Sequence, residues 1–271
     1  MNNIVTHILI ISGLDPSGYA GFIADIRTVT ALKAVCSGVV TALTNQTKNA
    51  FFGVSHVPPE SLKNQLYGLF RNNTFDAVKI GMVYSRKNIE IIAEIIQTYQ
   101  PPNVVLDPII TSTSGGALLE PDAVQLLKTA LIPLASIVTP NIPEAEQLSG
   151  ITINSPNDAK KAGKRILDLG CSSVFVKGGH LTGNAADILI DSSGIYEIPG
   201  TYIDTPDFRG TGCVISSAAA VFLSYGQTIF DSVTNAKRFL EKARKTFVQT
   251  KNGFNILNVF DYGGTPHEKC G

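Results

Sequence analysis

Short apolar runs alternate with longer stretches of helical periodicity along most of this chain. Six of the short runs have the length and the β-branched content typical of strands: HILIIS, SGVVTAL, DAVKIG, NVVLD, ASIVT and SVFVKGG. Because strands that alternate with helices form βαβ units, the pattern predicts a mostly parallel sheet covered by helices on both faces. No linker, repeat or low-complexity segment interrupts it, so we predict one α/β domain over residues 1–271.

The C-terminal third departs from this alternation. In AADILIDSSGIYEIPG, two alternating runs flank Ser-Ser-Gly, which predicts a hairpin. Two helices follow, one opening at Gly212 and one near Asp231. The sheet is therefore expected to carry an antiparallel edge.

Polar and glycine-rich segments collect where the predicted strands end. These segments are SGLDPSGYAG, TNQT, KIGM, DPIITSTSGG, TPNIPEAE and KGGH. Turn chemistry accounts for part of them, since Gly, Pro and Asp are common turn formers. In open parallel sheets, however, ligands bind at the carboxyl ends of the strands. We therefore expect a binding site along this edge of the sheet.

The composition limits the partners. Hydrophobic residues make up 44% of the chain and charged residues 16%, against a usual value of roughly 25% charged, so much of the chain is expected to be buried. An oligomer interface would add to that burial, and we predict a homodimer. Twenty-two basic residues balance twenty-two acidic ones, which argues against nucleic acid and anionic membranes as partners. Any anionic ligand must then be held by local features.

Two further features indicate the compartment. The first apolar run breaks at Gly13 and Pro16, far short of a membrane span, and no basic segment precedes it. The four cysteines lie far apart with no C-x-x-C pair, which argues against both a zinc site and a disulfide framework. We therefore expect no membrane association and a reducing cytoplasmic location.

The segment RGTGC, residues 209–213, runs directly into a helix of small residues. Glycine at 210 and 212 permits backbone angles that turn successive N–H groups toward one point, and the helix adds its positive end. This predicts an anion site, although a plain glycine turn before a packed helix explains the same letters. The segment is neither a Walker A loop nor a complete dinucleotide fingerprint.

A set of motifs carries a resemblance to a known family. They are ISGLDPSGYAGFIADIRT, TALTNQT, VKIGMV, NVVLDPIITSTSG, VTPNIPEAEQL, VFVKGGH and RGTGCVISSAAA. In order and spacing, the chain resembles the hydroxymethylpyrimidine and phosphomethylpyrimidine kinases of thiamine biosynthesis, in the ribokinase-like superfamily, over residues 7–250. The resemblance implies a three-layer α/β/α sandwich with a mostly parallel central sheet. It also implies phosphoryl transfer from MgATP to hydroxymethylpyrimidine, and then to its phosphate.

The resemblance assigns catalysis to the glycine turn, with Gly210, Thr211, Gly212 and Cys213. Most ribokinase-like sugar kinases have an Asp after G-x-G, where this chain has Cys213. A helix N-terminus lowers a thiol pKa, which would make Cys213 a proton acceptor, while phosphate groups nearby would act in the opposite direction. Because phosphoryl transfer has a loose transition state, a positioning role stays open beside the base role that we expect.

The other expected roles fall into three sets. The substrate pocket is expected to contain Gly13, Ala20, Asp25, Gln46, Met82 and Ile109. Asp25 and Gln46 would contact the aminopyrimidine edge, because a carboxylate accepts from an amine and an amide both donates and accepts. The nucleotide residues are expected to be Thr139, Lys177 and His180. Magnesium is expected at Asn141, Glu144 and Asp107, through oxygen ligands, although Asn141 could equally be a helix N-cap.

Several positions depart from the family pattern. Tyr19 and Thr47 replace Gly and Asn, Arg209 replaces His, and the C-terminal segment lacks a Gly-His-Gly ending. Tyr19 would narrow the substrate loop. Two other functions stay open: a pyridoxal kinase of the same fold, since pyridoxal also presents a hydroxymethyl group on an aza-aromatic ring, and a pyrimidine sensor without turnover. The complete set of predicted transfer residues argues against the sensor.

Overall fold

A computed structural model describes residues 5–47, 50–112, 115–178, 186–200 and 205–260. The strands are β1 (His7–Leu14), β2 (Val35–Gln46), β3 (Phe51–His56), β4 (Ala77–Ile80), β5 (Val104–Leu106), β6 (Ile137–Val138), β7 (Ser173–Val176), β8 (Asp187–Asp191), β9 (Gly194–Ile198), β10 (Val248–Gln249) and β11 (Asn255–Ile256). The helices are α1 (Gly21–Ala31), α2 (Pro59–Asn72), α3 (Arg86–Tyr99), α4 (Val124–Leu126), α5 (Ile142–Ser149), α6 (Pro156–Leu167), α7 (Thr211–Ser224) and α8 (Ile229–Lys245). Short 3-10 and π turns flank α4.

The central sheet has the order β3-β2-β1-β4-β5-β6-β7-β8-β9 among the described residues. Strands β2, β1, β4, β5, β6 and β7 run parallel, while β3 at one edge and the β8–β9 hairpin at the other run antiparallel. The predicted parallel strands and the edge hairpin are thus confirmed. The antiparallel strand β3 was not predicted, because its sequence FFGVSH is short and interrupted by glycine.

Helices cover both faces of the sheet, and β1 shows why. Its side chains alternate between faces because successive residues of a strand point in opposite directions. Leu9 and Ile11 pack with α2, α3, α5 and α6, while Ile8 and Ile10 pack with α1, α7 and α8. A parallel strand buried on both faces is apolar throughout, as HILIIS is. Within the described residues, no helix is long and apolar enough to cross a bilayer.

Parallel strands place their carboxyl ends along one edge of the sheet. The loop after β1 leads into α1, β2 continues into the β2–β3 hairpin, and the residues after β5, β6 and β7 follow in spatial order. Helix α7 contacts β1, β4 and β5. The predicted motifs therefore gather around the start of one helix.

Candidate active site

The start of α7 requires glycine. Gly210 is the N-cap, with φ 79°, and a Cβ there would lie 2.1 Å from the carbonyl oxygen of Tyr19. A larger residue would therefore be strained and would collide with the β1–α1 loop. No side chain among the described residues caps α7. Its first N–H groups, near Thr211, Gly212 and Cys213, have the orientation and partial charge that attract anions.

Lys177 adds a positive charge at this helix start. A Cβ on Gly212 would lie 3.1 Å from Lys177 Nζ, so the ammonium group lies against the first turn of α7. Lys177 Nζ donates to Asp107 Oδ1 at 2.8 Å, and Thr139 Oγ1 donates to the same oxygen at 3.2 Å. Although burial disfavours its charge, Lys177 and Lys79 hold the pKa of Asp107 below its ordinary value. Three residues predicted for nucleotide and metal thus form one ionised network.

Asp25 is buried in an ion pair, and its expected contact with the pyrimidine ring stays a prediction. Both of its carboxylate oxygens accept from Lys79 Nζ at 2.8 Å, and Ser217 Oγ donates to Oδ1 at 2.8 Å. The side chains of Asp25 and Lys79 are completely buried. A buried carboxylate needs a counter-ion and hydrogen bonds, and α7 and β4 supply them here. Asp25 is therefore engaged beneath the site, with no oxygen exposed to a ligand.

Cys213 is buried in the first turn of α7. Burial raises the pKa of its thiol to about 12, with Lys79 acting against the shift and Asp25 and Asp107 adding to it. This direction is opposite to the lowering expected from a helix N-terminus. The thiol is therefore protonated at neutral pH in this environment, which favours the positioning role over the base role.

Asn141 and Glu144 form a capping box at the start of α5. Asn141 Oδ1 accepts from the Glu144 N–H at 2.9 Å, and Glu144 Oε2 accepts from the Asn141 N–H at 2.8 Å. Asn141 is therefore the N-cap of α5, and its expected role at magnesium stays a prediction. Burial raises the pKa of Glu144 to about 7, Lys177 opposes this shift, and the nearby Asp107 adds to it. Within the described ranges, no three His, Cys, Asp or Glu side chains are grouped to hold a metal ion by themselves.

An apolar cluster lies between the β2–β3 hairpin and the ends of β4 and β5. Its buried members are Ala42, Met82 and Leu118, with Phe51, Val54, Tyr84 and Ile109 packed against them. A Cβ on Gly13 would lie 2.5 Å from Met82 Sδ, so Met82 lies directly over the end of β1. Of the predicted pocket residues, Gly13, Met82 and Ile109 are therefore brought to one region.

Gln46 at the end of β2 is held by Arg209. Arg209 Nη2 donates to Gln46 Oε1 at 2.6 Å, and Arg209 Nη1 donates to the Thr47 carbonyl oxygen at 2.8 Å. Arg209 Nη2 also lies 3.6 Å from Asp15 Oδ2. This contact joins three of the predicted loops, and it involves two of the positions that depart from the family pattern.

The remaining predicted residues have simpler placements. Ala20 is the N-cap of α1. The ring of Tyr19 packs edge-on against Phe254, with centroids 6.1 Å apart. His180 lies outside the described residues. Sequence reasoning gave no role to Lys79. A lysine within a buried apolar strand such as AVKI is itself a signal, because a buried lysine is almost always paired with an acid.

A model of the phosphomethylpyrimidine kinase family matches residues 15–258. The chain belongs to this family. The hydroxymethylpyrimidine/phosphomethylpyrimidine kinase of Aquifex aeolicus is 37% identical over 92% of this chain and 98% of its own length. The thiamine biosynthesis bifunctional protein ThiED of Geobacter sulfurreducens is 38% identical over 93% of this chain, which spans 51% of that protein.

Solved structures of the family and of pyridoxal kinases share the fold. The phosphomethylpyrimidine kinase of Clostridium difficile 630 superimposes with a TM-score of 0.78 at 39% identity, covering 88% of this chain and 99% of that one. The pyridoxal kinase of Staphylococcus aureus in complex with AMP-PCP and pyridoxal gives 0.87 at 27% identity, covering 96% of both chains. The ribokinase-like α/β fold class expected from the sequence is confirmed.

Proposed function

We propose that this chain is an ATP-dependent kinase that phosphorylates 4-amino-5-hydroxymethyl-2-methylpyrimidine and then its monophosphate, in thiamine biosynthesis. Membership of the phosphomethylpyrimidine kinase family supports this, as do the names of its relatives. The structural observation that carries the proposal is the position of Lys177 Nζ against Gly212. A lysine and a helix N-terminus directed at one point suit the phosphate groups of ATP.

In the first step, the hydroxymethyl oxygen of the pyrimidine bonds to the γ-phosphorus of ATP. The bond from that phosphorus to the β,γ-bridging oxygen breaks, ADP leaves, and the hydroxyl proton is released. In the second step, a phosphate oxygen of the product bonds to the γ-phosphorus of another ATP, the bond from that phosphorus to the β,γ-bridging oxygen breaks, and a second ADP leaves. Charge develops on the transferred oxygens in both steps, and the first turn of α7 with Lys177 stabilises it.

The residues near Lys177 fit a magnesium ion bound together with ATP. Asp107 and Glu144 are close enough that the charge of Asp107 raises the pKa of Glu144, and a bound cation would relieve this repulsion. A carboxylate has about four lone-pair sites, so the capping box leaves Glu144 able to accept a water ligand. Asp107, Glu144 and Asn141 would hold the ion through oxygen and water, and the ion would neutralise phosphate charge.

Pyridoxal is the second candidate substrate. The high TM-score with a pyridoxal kinase favours it. The identity favours the pyrimidine, because the family relatives reach 37% and 38% while that pyridoxal kinase reaches 27%. The pyrimidine is therefore the substrate that we propose.

The test is coupled ADP release over a panel of hydroxymethylpyrimidine, its monophosphate, pyridoxal, ribose and fructose, with Mg²⁺ or with EDTA. We expect turnover of both pyrimidines, dependence on Mg²⁺, and no useful activity on the sugars. A clear preference for pyridoxal or for a sugar would overturn the assignment, and binding of the pyrimidine without ADP release would support the sensor.

Three further expectations concern the oligomeric state, the domain organisation and the location of the protein. A homodimer is supported by the exposed apolar side chains of Val35, Leu43 and Phe52 on β2 and β3, and light scattering of the purified chain would test it. A single domain over residues 1–271 is supported by one sheet that collects strands from His7 to Ile198. A cytoplasmic location stays a prediction.

A further inference from the structure

Arg209 connects the end of β2 to the start of α7. It directly precedes Gly210, the N-cap of α7. Its two terminal nitrogens donate to Gln46 Oε1 at 2.6 Å and to the Thr47 carbonyl oxygen at 2.8 Å. The side chain of Arg209 is 17% exposed; its bond to Gln46 is partly shielded from water, whereas its bond to Thr47 is exposed. Bonds from a guanidinium to a carbonyl oxygen are charge-assisted and strong.

The contact fixes the orientation of the Gln46 amide. Gln46 Nε2 donates to Thr44 Oγ1 at 2.8 Å, and Thr44 Oγ1 donates in turn to the Leu14 carbonyl oxygen at 3.1 Å. The guanidinium has only donors, so it must face the amide oxygen; the Thr44 hydroxyl has committed its proton, so it must face the amide nitrogen. The amide of Gln46 therefore cannot rotate by 180° without losing both bonds.

This orientation leaves one donor and one acceptor of Gln46 unused. A primary amide offers two N–H groups and two lone pairs, and Arg209 and Thr44 use one of each. What remains is one N–H, which can donate to a ring nitrogen, and one lone pair, which can accept from an exocyclic amine. A reversed amide would present donor and acceptor in the wrong order.

The backbone of Arg209 is fixed as firmly as its side chain. A Cβ on the neighbouring Gly210 would lie 2.1 Å from the Tyr19 carbonyl oxygen, so the turn before α7 is packed against the β1–α1 loop. Asp15 of that loop has a carboxylate oxygen 3.6 Å from Arg209 Nη2. A movement at the start of α7 is therefore transmitted to Gln46.

We propose that Arg209 is a positioning residue for the pyrimidine: it sets the amide orientation of Gln46 and holds the end of β2 in register with the start of α7. This inference rests on the proposed function for its ligand, and the contacts themselves do not depend on it. Arg209 would thus determine specificity through Gln46, without having to contact the ring itself.

A double-mutant cycle between Arg209 and Gln46 tests the inference in the full chain. Loss of charge-assisted bonds predicts that Arg209→Ala raises KM for hydroxymethylpyrimidine about 10- to 100-fold, while KM for ATP changes less than about threefold. In the Gln46→Ala background, the same substitution should change the pyrimidine KM less than about threefold, because the side-chain amide that Arg209 orients is absent. Arg209→Lys, which lacks the two-nitrogen fork, should recover part of the loss.

Arg27→Ala is the matched control. Arg27 Nη1 donates to the Gly18 carbonyl oxygen at 2.8 Å, in the same loop as Asp15, and no contact with Gln46 is seen among the described residues. Its effect should add to that of Gln46→Ala without coupling. Additive effects of Arg209→Ala and Gln46→Ala, or an equal rise of KM for ATP, would overturn the proposal.

Amide hydrogen exchange of the free protein separates this inference from the proposed function. The Thr47 N–H is bonded to the Ala50 carbonyl oxygen at 2.8 Å. Arg209→Ala should accelerate exchange at the end of β2 about tenfold or more, whereas Arg27→Ala should not. If the parent lacks pyrimidine kinase activity but exchange at the end of β2 is faster in Arg209→Ala, the proposed function fails and the structural link between Arg209 and the end of β2 is supported. If the parent is active but exchange at the end of β2 is unchanged in Arg209→Ala, the proposed link between Arg209 and the end of β2 is wrong.

Discussion

Two lysine–aspartate pairs lie near the start of α7, and they differ in burial and in the number of carboxylate oxygens that the lysine contacts. Lys79 meets Asp25 and Lys177 meets Asp107, each with a 2.8 Å distance between Nζ and a carboxylate oxygen. The first pair is 0% exposed on both sides, while Lys177 is 15% exposed. Lys79 contacts both oxygens of Asp25, while Lys177 contacts one oxygen of Asp107. The same 2.8 Å distance with unequal burial gives the two pairs different uses.

The difference follows from where each lysine stands on its strand. Lys79 lies within β4, and a Cβ on the next residue but one, Gly81, would lie 2.7 Å from its Nζ. Lys177 lies one residue beyond β7, where the sheet ends and the first turn of α7 begins. A pair closed on all sides can only support structure, whereas a pair at the edge can exchange part of its contacts for a ligand.

The largest expected effect comes from breaking the fully buried Lys79–Asp25 pair, which we call the closed pair. Lys79→Met should lower the free energy of unfolding by about 3–5 kcal/mol, because it leaves the Asp25 carboxylate buried without a counter-ion. Urea denaturation at neutral pH measures it. The double variant Asp25→Leu with Lys79→Met is the control and should recover much of the loss, since an apolar pair can replace a buried ion pair. A loss below about 1 kcal/mol in the single variant would show that the closed pair contributes little.

Lysine-to-methionine substitution in the partly exposed Lys177–Asp107 pair, which we call the open pair, should act on catalysis. Lys177→Met should lower kcat/KM for ATP about 10²- to 10³-fold, the usual cost of removing one group that stabilises transition-state charge. Its loss of unfolding free energy should be smaller than that of Lys79→Met, because Lys177 is partly exposed and Thr139 still donates to Asp107.

An exposed pair provides the control for Lys177. Lys160 and Glu197 form a 2.7 Å contact with 32% and 53% exposure. Lys160→Met should leave ATP kinetics unchanged and stability nearly so, as exposed pairs contribute about 0–1 kcal/mol. The comparison between closed and open pairs fails if Lys177→Met loses stability as Lys79→Met does but keeps its activity.

The sequence could predict the edge of the sheet but not the depth of each residue below it. Strand periodicity and the motifs at strand ends placed Lys177, Asp107 and Thr139 at one edge, because each directly follows the last residue of its own strand. The ion pair of Asp25 could not be predicted, since its partner Lys79 is 54 positions away and an acid on α1 has the same pattern whether it faces solvent or a buried lysine.

Contacts between loops were also beyond sequence reasoning. Arg209 and Gln46 are 163 positions apart, and no periodicity connects them. Both were singled out, one as a departure from the family and one as a ring contact, yet their pairing depends on how the β2–β3 hairpin folds back over the sheet edge. The strand β3 that closes this hairpin was itself not predicted.

A smaller effect is expected from Glu144, next to the open pair. Its pKa of about 7 lies above the ordinary value of 4.5, so between these values the folded chain holds a proton that the unfolded chain releases. The free energy of unfolding should therefore fall as pH rises from about 4.5 to 7, by on the order of 2 kcal/mol. Glu144→Gln keeps an acceptor for the Asn141 N–H and should lack this slope. Thermal melting of both proteins from pH 5 to 8 measures the difference, and parallel curves would contradict it.

The smallest effect is expected at Cys213, which lies between the two pairs and is influenced by both. With a pKa of about 12, its thiol is almost entirely protonated from pH 6 to 9, and so it is a poor proton acceptor despite its place in the first turn of α7. A serine at this position preserves the size and the hydrogen-bonding capacity of the side chain. Cys213→Ser should therefore keep kcat within about tenfold of the parent, less than about 1.4 kcal/mol in the barrier, and should keep the shape of the pH–rate profile. A loss of about 10²- to 10⁴-fold together with a missing limb of that profile is the result expected of a general base, and it would mean that ATP and Mg²⁺ lower the thiol pKa far enough to restore the base role.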